Sequence, residues 1–162
     1  MQMKTIKIES TLNVFENFEE LPTDIKSLME KAKEARLKAY APYSNFLVGA
    51  ALLLDTNDII TGSNQENASY PSGLCAERTA IFYAGSQFPN SKILRMAIIA
   101  GSIHNPTTAP IPPCGACRQS IAEYEVKQDA PIEIYFMGET GKVMKSDSLA
   151  NLLPFMFDKS FL

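Results

Sequence analysis

Cys75-Ala76-Glu77-Arg78-Thr79-Ala80 and, downstream, Pro112-Pro113-Cys114-Gly115-Ala116-Cys117-Arg118-Gln119 decide how this chain of 162 residues is read. The chain has three cysteines, and all three fall in these two stretches. Cys114 and Cys117 have the spacing that puts two thiolates on one ion, and Cys75 is left to supply a third donor from far away in sequence. The one histidine, His104, lies in a Gly/Pro/Thr-flanked stretch without ligand-like spacing. Three donors leave one position free on a tetrahedral ion. Structural zinc sites are usually closed by four protein ligands, whereas catalytic sites keep a water in the fourth place. The donor count therefore favours catalysis. Glu77 follows Cys75 closely enough to reach a water on that ion, take its proton and hand it on.

A donor-x-Glu followed by Pro-Cys-x-x-Cys resembles the pattern of zinc-dependent nucleobase deaminases. The similarity extends to the small cytidine deaminases. Tyr40-Ala41-Pro42-Tyr43-Ser44-Asn45-Phe46-x-Val48-Gly49-Ala50-Ala51 looks like their N-terminal block, and Asn64-Gln65-Glu66-Asn67-Ala68-Ser69-Tyr70 resembles their Asn-x-Glu-Asn-Ala block. The two cysteine stretches match their zinc blocks, and Leu152-Leu153-Pro154-x-x-Phe157 resembles their C-terminal block. The likeness runs in order from about Asp24 to the end. Gln65, Ser69 and Phe155-Met156 depart from the residues usual in those blocks.

The resemblance implies a three-layer α/β/α sandwich around a mixed five-stranded sheet, in a cytidine deaminase-like catalytic domain over residues 22–162. Residues 1–21 form an N-terminal extension outside it. One Zn2+ per subunit is held by Cys75, Cys114 and Cys117. Water activated there adds to C4 of a cytosine ring, with Glu77 carrying its proton to N3 and then to the departing amino group. The implied activity is hydrolytic deamination of cytidine and deoxycytidine to uridine and deoxyuridine, in pyrimidine salvage. Asn64 and Glu66 take the ribose hydroxyls, and the charge of Glu66 repels a 5'-phosphate. Phe46 packs on the base, Ala76 and Tyr70 line the pocket, and Phe157 reaches a neighbouring subunit of a homotetramer; Phe155 and Phe161 are alternatives for that reach. Three thiolates on a divalent ion sum to −1, which opposes acidification of the water. Arg78 and Arg118 are therefore expected to donate hydrogen bonds to the sulfurs.

Composition narrows the partners. Apolar residues make up 46% and charged ones 20%, ordinary for a soluble globular domain, and one domain is the expectation at this length. A net charge of −3 gives no basic footprint for nucleic acid, so a small-molecule nucleoside is the expected substrate and an RNA or DNA deaminase the weaker reading. A nucleoside antibiotic as substrate, a non-enzymatic zinc module and a redox Cys-x-x-Cys are the remaining alternatives. The last leaves Cys75 idle. An odd number of clustered cysteines suits a reducing compartment, and no apolar run suggests a signal peptide or a membrane span, so a cytoplasmic location is expected.

Periodicity supplies the elements. Residues 1–20 alternate weakly around Ile6, Ile8 and Leu12 as an edge strand or frayed arm. Pro22-Thr23-Asp24 opens a helix with a capping side chain, and Ile25, Leu28, Met29, Ala32, Ala35 and Ala39 recur at helical spacing up to Pro42. Strands are expected over 46–54, 59–63, 94–100, 132–137 and 142–145, with hairpin turns at Asp55–Asp58 and Gly138–Gly141. Helices are expected from Cys75 to about Gly85 and from Gly115 to about Glu125, and Ser146 caps a short one ending before Pro154. The four prolines between His104 and Pro113 make that stretch a loop. Both cysteine blocks thus open helices, whose N-terminal partial charge favours thiolates.

Overall fold

In the central strands, alternate residues bury against two different layers. In β4 (Ile93–Ser102), Met96 and Ile98 join one core while Ala97 and Ile99 join another. In β5 (Glu133–Met137), Ile134 and Phe136 oppose Tyr135 and Met137 in the same way. Side chains alternate across a strand, so burial on both faces requires the near-continuous apolar runs seen in the sequence. The structure is a computed structural model and describes residues 3–162.

The sheet also contains β1 (Asn13–Phe15), β2 (Phe46–Leu54), β3 (Ile59–Ser63) and β6 (Val143–Ser146), in the order β1-β6-β5-β4-β2-β3. The β4–β5 pair is parallel and the other pairs are antiparallel. Helix α1 (Thr23–Arg36) covers one face through Ile25, Leu28, Met29 and Ala32. Helices α2 (Ala76–Gln87) and α3 (Gly115–Gln128) cover the other through Ala80, Ile81, Ala84, Ile121 and Ala122. This is the three-layer α/β/α arrangement expected. No helix among the described residues is long and apolar enough to cross a membrane.

The sheet has six strands, not five. The sixth is β1, which pairs with β6 through Asn13↔Lys145, Val14↔Met144 and Phe15↔Val143. A Lys142–Glu16 ion pair at 3.0 Å helps to hold it. The strand does not form around Ile6 and Ile8, which are exposed and have no strand partner. Beyond β1 the segment turns inward: Phe15 and Phe18 pack on the core beneath α1, and Leu21 is buried in it.

Two helix boundaries also differ from expectation. Pro22 occupies the cap position of α1 and provides no side-chain cap, because a pyrrolidine ring has no acceptor to offer. At the C-terminus the short helix is a 3-10 turn, Leu149–Asn151, capped by Ser148 and not by Ser146. Ser146 is the buried last residue of β6, and its hydroxyl donates to the Ser148 carbonyl at 2.7 Å. Glu125 in α3 anchors this region. Its buried carboxylate accepts from the N–H groups of Ile132 and Leu149 and from the Ser148 hydroxyl.

Candidate metal centre and active site

Cys75 and Cys114 occupy equivalent places: each is the residue just before a helix, with extended backbone angles. Ser, Asp or Asn at that position usually folds its side chain back onto the first helical N–H groups. Neither cysteine does so. Their backbone carbonyls take the helix's first hydrogen bonds, from Thr79 and Arg118, and both sulfurs are left free to point away from their own helices. Cys117, one turn into α3, is fully buried.

The three sulfurs converge. All lie within 4.8 Å of one another, and the Cys75 and Cys114 Sγ atoms are 3.8 Å apart. Tetrahedral coordination at a zinc–sulfur distance of about 2.3 Å sets sulfurs about 3.8 Å apart. The donor set thus fits one zinc ion by both spacing and softness. The Cys75 thiol is held down at about 5, first by its hydrogen bond with Cys117 and further by Arg78 and Cys114. The same contact with Cys75, together with burial, pushes the Cys117 thiol up.

Glu77 lies in the first turn of α2 and is 4% exposed. Burial, with the charge on Cys75 adding to it, pushes its carboxyl up to about 7. The Cys117 thiol acts on this carboxyl in the opposite direction, so Glu77 lies in the electrostatic neighbourhood of the cluster and not on the surface. Gly62 on β3 lets this helix end come close: a Cβ there would stand 2.6 Å from the Ala76 carbonyl oxygen and 2.6 Å from the Ala80 nitrogen.

The two arginines part company. Arg78 aims Nη2 at the Cys75 sulfur at 3.9 Å, and its buried Nε has no partner. Arg118, expected at a sulfur too, donates instead to the carbonyls of Pro113 at 2.9 Å and Leu152 at 3.0 Å. Each arginine lies about one turn beyond the cysteine that opens its helix, so register alone does not separate them; the Pro113 and Leu152 carbonyls take the Arg118 guanidinium and turn it from the sulfurs.

A cavity of about 370 Å³ opens beside the cluster and is lined by Asn64, Glu66, Tyr70, Cys75 and Arg78 among others. The Asn64-Gln65-Glu66 segment continues past β3 as a strip paired on both sides. Gln65 exchanges backbone hydrogen bonds with Leu74, and Asn64 and Glu66 bond the backbone of Tyr40. Glu66 Oε2 accepts from the N–H groups of Tyr43 at 2.9 Å and Ser44 at 3.2 Å. Ser44, through its side chain first, and Tyr43 hold this carboxyl below the usual carboxylate range. Asn64 also fastens the start of β2, its side-chain amide accepting from Val48 N–H at 2.8 Å and donating to the Phe46 carbonyl at 2.9 Å.

Three of the substrate contacts expected from the sequence, Phe46, Ala76 and Phe157, do not line this cavity, and neither do Glu77, Cys114, Cys117 or Arg118. Phe46 is half-buried at the start of β2, Ala76 is fully buried under the cluster, and Phe157 is 57% exposed, stacked on Phe161. Conversely, Tyr43 and Ser44 stand out in the sequence only as members of a block. Apart from the Ser44 hydroxyl, the groups they offer Glu66 are backbone N–H groups, which leave no signal in residue type.

Residues 22–129 match a family model described as the cytidine and deoxycytidylate deaminase zinc-binding region. The chain belongs to this family. A cytidine deaminase of Sporosarcina psychrophila is 40% identical over 139 residues, which is 86% of this chain and 95% of that protein. One of Halalkalibacterium halodurans is 41% identical over 134 residues, 83% of this chain and 94% of that protein. Among solved structures, a cytidine deaminase from Burkholderia pseudomallei superposes with a TM-score of 0.69 at 40% identity, covering 81% of this chain and 97% of that one. The chain is thus a zinc-binding hydrolase of the cytidine deaminase family, with a three-cysteine cluster suited to a single ion.

Proposed function

We propose that this chain deaminates cytidine and deoxycytidine to uridine and deoxyuridine, with release of ammonia, and so serves pyrimidine salvage. The observation that carries this reading is the convergence of three sulfurs, from two helix starts, beside the buried Glu77 and next to a cavity holding Glu66. In it, Cys75, Cys114 and Cys117 hold the zinc. When bound, the ion supplies the Lewis acidity that makes a water nucleophilic near neutral pH.

The remaining work falls to side chains. Glu77 accepts one proton of the attacking water and delivers it to ring N3; it then takes the second proton from the hydroxyl now on C4 and passes it to the amino group, so that the C4–N bond breaks, the C4 carbonyl forms and ammonia leaves. One carboxyl serves as base and then as acid, and its burial excludes competing solvent. Arg78 draws electron density from the Cys75 sulfur, which offsets excess donation by three thiolates. Glu66 has one oxygen fixed by two backbone N–H groups, which orients the other towards a sugar diol. Its negative charge discriminates against phosphorylated substrates and nucleic acid. Asn64 contributes the amide capacity that its bonds to β2 leave over. Tyr70 walls the cavity. Phe46 is assigned to the base and Phe157 to the pocket of a neighbouring subunit.

Residues 22–162 form the catalytic unit in this reading, with residues 1–21 as an added segment. The assembly is a homotetramer, for which the exposed Phe82, Tyr83, Phe155 and Phe157 provide apolar surface. Three free cysteines clustered as ligands fit a cytoplasmic setting. Ultraviolet-monitored conversion of cytidine and deoxycytidine, with zinc measured on the same sample and mass by light scattering, tests the whole. Purified protein that holds zinc yet leaves both nucleosides unchanged would sink the substrate assignment.

A further inference from the structure

The segment that brings Cys114 to the cluster has no regular secondary structure between β4 and α3. Between Asn105 and Pro113 it is tied at two places. Near its end, Arg118 bonds the Pro113 carbonyl. Near its start, Glu139 in the β5–β6 turn grips Thr107 from both sides. The Glu139 N–H donates to the Thr107 carbonyl at 2.7 Å, and Glu139 Oε2 accepts from the Thr107 N–H at 3.2 Å. The other carboxylate oxygen accepts from Arg36 Nη2 at 2.7 Å, and Arg36 Nε donates to the Leu47 carbonyl at 3.1 Å. The Glu139–Arg36 pair thus joins the last turn of α1, strand β2, the β5–β6 turn and the segment leading to Cys114.

The packing leaves little play in this junction. A Cβ at Gly101 would lie 2.4 Å from Glu139 Cγ, and one at Gly138 would lie 2.3 Å from the Thr107 carbonyl oxygen. Arg36 is 10% and Glu139 30% exposed in their side chains, so loss of either leaves a poorly solvated charge alone. Between Thr107 and Cys114 stand Pro110, Pro112 and Pro113. Each fixes one backbone angle, which limits how much of a displacement at Thr107 is absorbed before Cys114.

We propose that Glu139 is a positioning residue for the metal centre, holding the donor segment through Thr107 so that Cys114 meets Cys75 and Cys117 at ligand spacing. This role rests on the three cysteines being the zinc ligands. Glu139 itself makes no contact with a sulfur and does not line the cavity.

The test uses full-length protein loaded with Co2+, reading the thiolate-to-cobalt charge-transfer band and the rate at which a chelator strips the ion. Glu139→Ala should keep its circular dichroism but lose cobalt about tenfold faster, the low end of the effect of removing partners that orient metal ligands. Glu139→Gln, which keeps volume and one acceptor, should also lose cobalt faster than the parent, and it carries the test if the alanine variant does not fold. Glu133→Ala breaks ion pairs of similar exposure at the other end of β5, with Arg95 and Lys145, and should strip at the parental rate. Parental stripping in both Glu139 variants, or equal acceleration in Glu133→Ala, overturns the role. A parent protein without the thiolate band overturns the ligand assignment and this role with it, whereas a normal parental band with unaltered loss in the variants overturns this role alone.

Discussion

Glu77 and Glu66 are two carboxylates of one site held in opposite ways. Glu77 is buried beside sulfur, and Glu66 is at the cavity wall, fixed through two backbone N–H groups. Their substitutions should therefore read out differently. Glu77→Gln preserves shape and leaves the cysteines intact, so zinc content should stay at the parental level while kcat drops by about 10² to 10⁴, the usual worth of a positioned proton carrier. Parental kcat in that variant would remove Glu77 from proton transfer. In the proposed function Glu66 binds the sugar equally in ground and transition states, and Glu66→Gln removes its charge. KM for cytidine should rise with kcat little changed, and the preference against a 5'-monophosphate should relax. A fall confined to kcat would contradict the assignment.

The elements show why some features can be read from sequence and others cannot. β2 and β3 are legible to the residue, because an apolar run, the Asp55–Asp58 turn and a second run are all local signals. The metal cluster is legible because donor spacing survives in sequence, and the helix starts place two sulfurs at equivalent positions. β1 is not, because a three-residue strand is chosen by its partner, and β6 lies at the far end of the chain. Nor does sequence separate Ser148 from Ser146 as a cap, since both offer the same hydroxyl two residues apart; only the buried Glu125 decides between them. That network makes a prediction. Glu125→Ala leaves the N–H groups of Ile132 and Leu149 buried without an acceptor, which should destabilise the protein by about 2–4 kcal/mol in urea denaturation. A change under about 0.5 kcal/mol would show that solvent or neighbours replace it.

Over the whole molecule, charge and sheet borders set the response to conditions. At Glu133, burial works against ionisation, but the ion pairs with Lys145 and Arg95 outweigh it and hold the carboxyl below the ordinary range. A group lowered in this way adds stability above its unfolded value, about 4.3, and that stability is lost as pH falls through the lower folded value. The urea midpoint should therefore decline on acidification below about pH 4.5, and Glu133→Gln should flatten the decline in that window. An unchanged slope in the variant would rule out this contribution. The short N-terminal strand has a wider consequence. It lies along one border of the sheet, and without it the backbone of β6 would stand open as a template for strands of other molecules. Protein trimmed before Phe15 should still turn over nucleoside when dilute. On concentration it should grow turbid and bind fibril-specific dyes, so that these few residues govern colloidal lifetime and leave the chemistry alone.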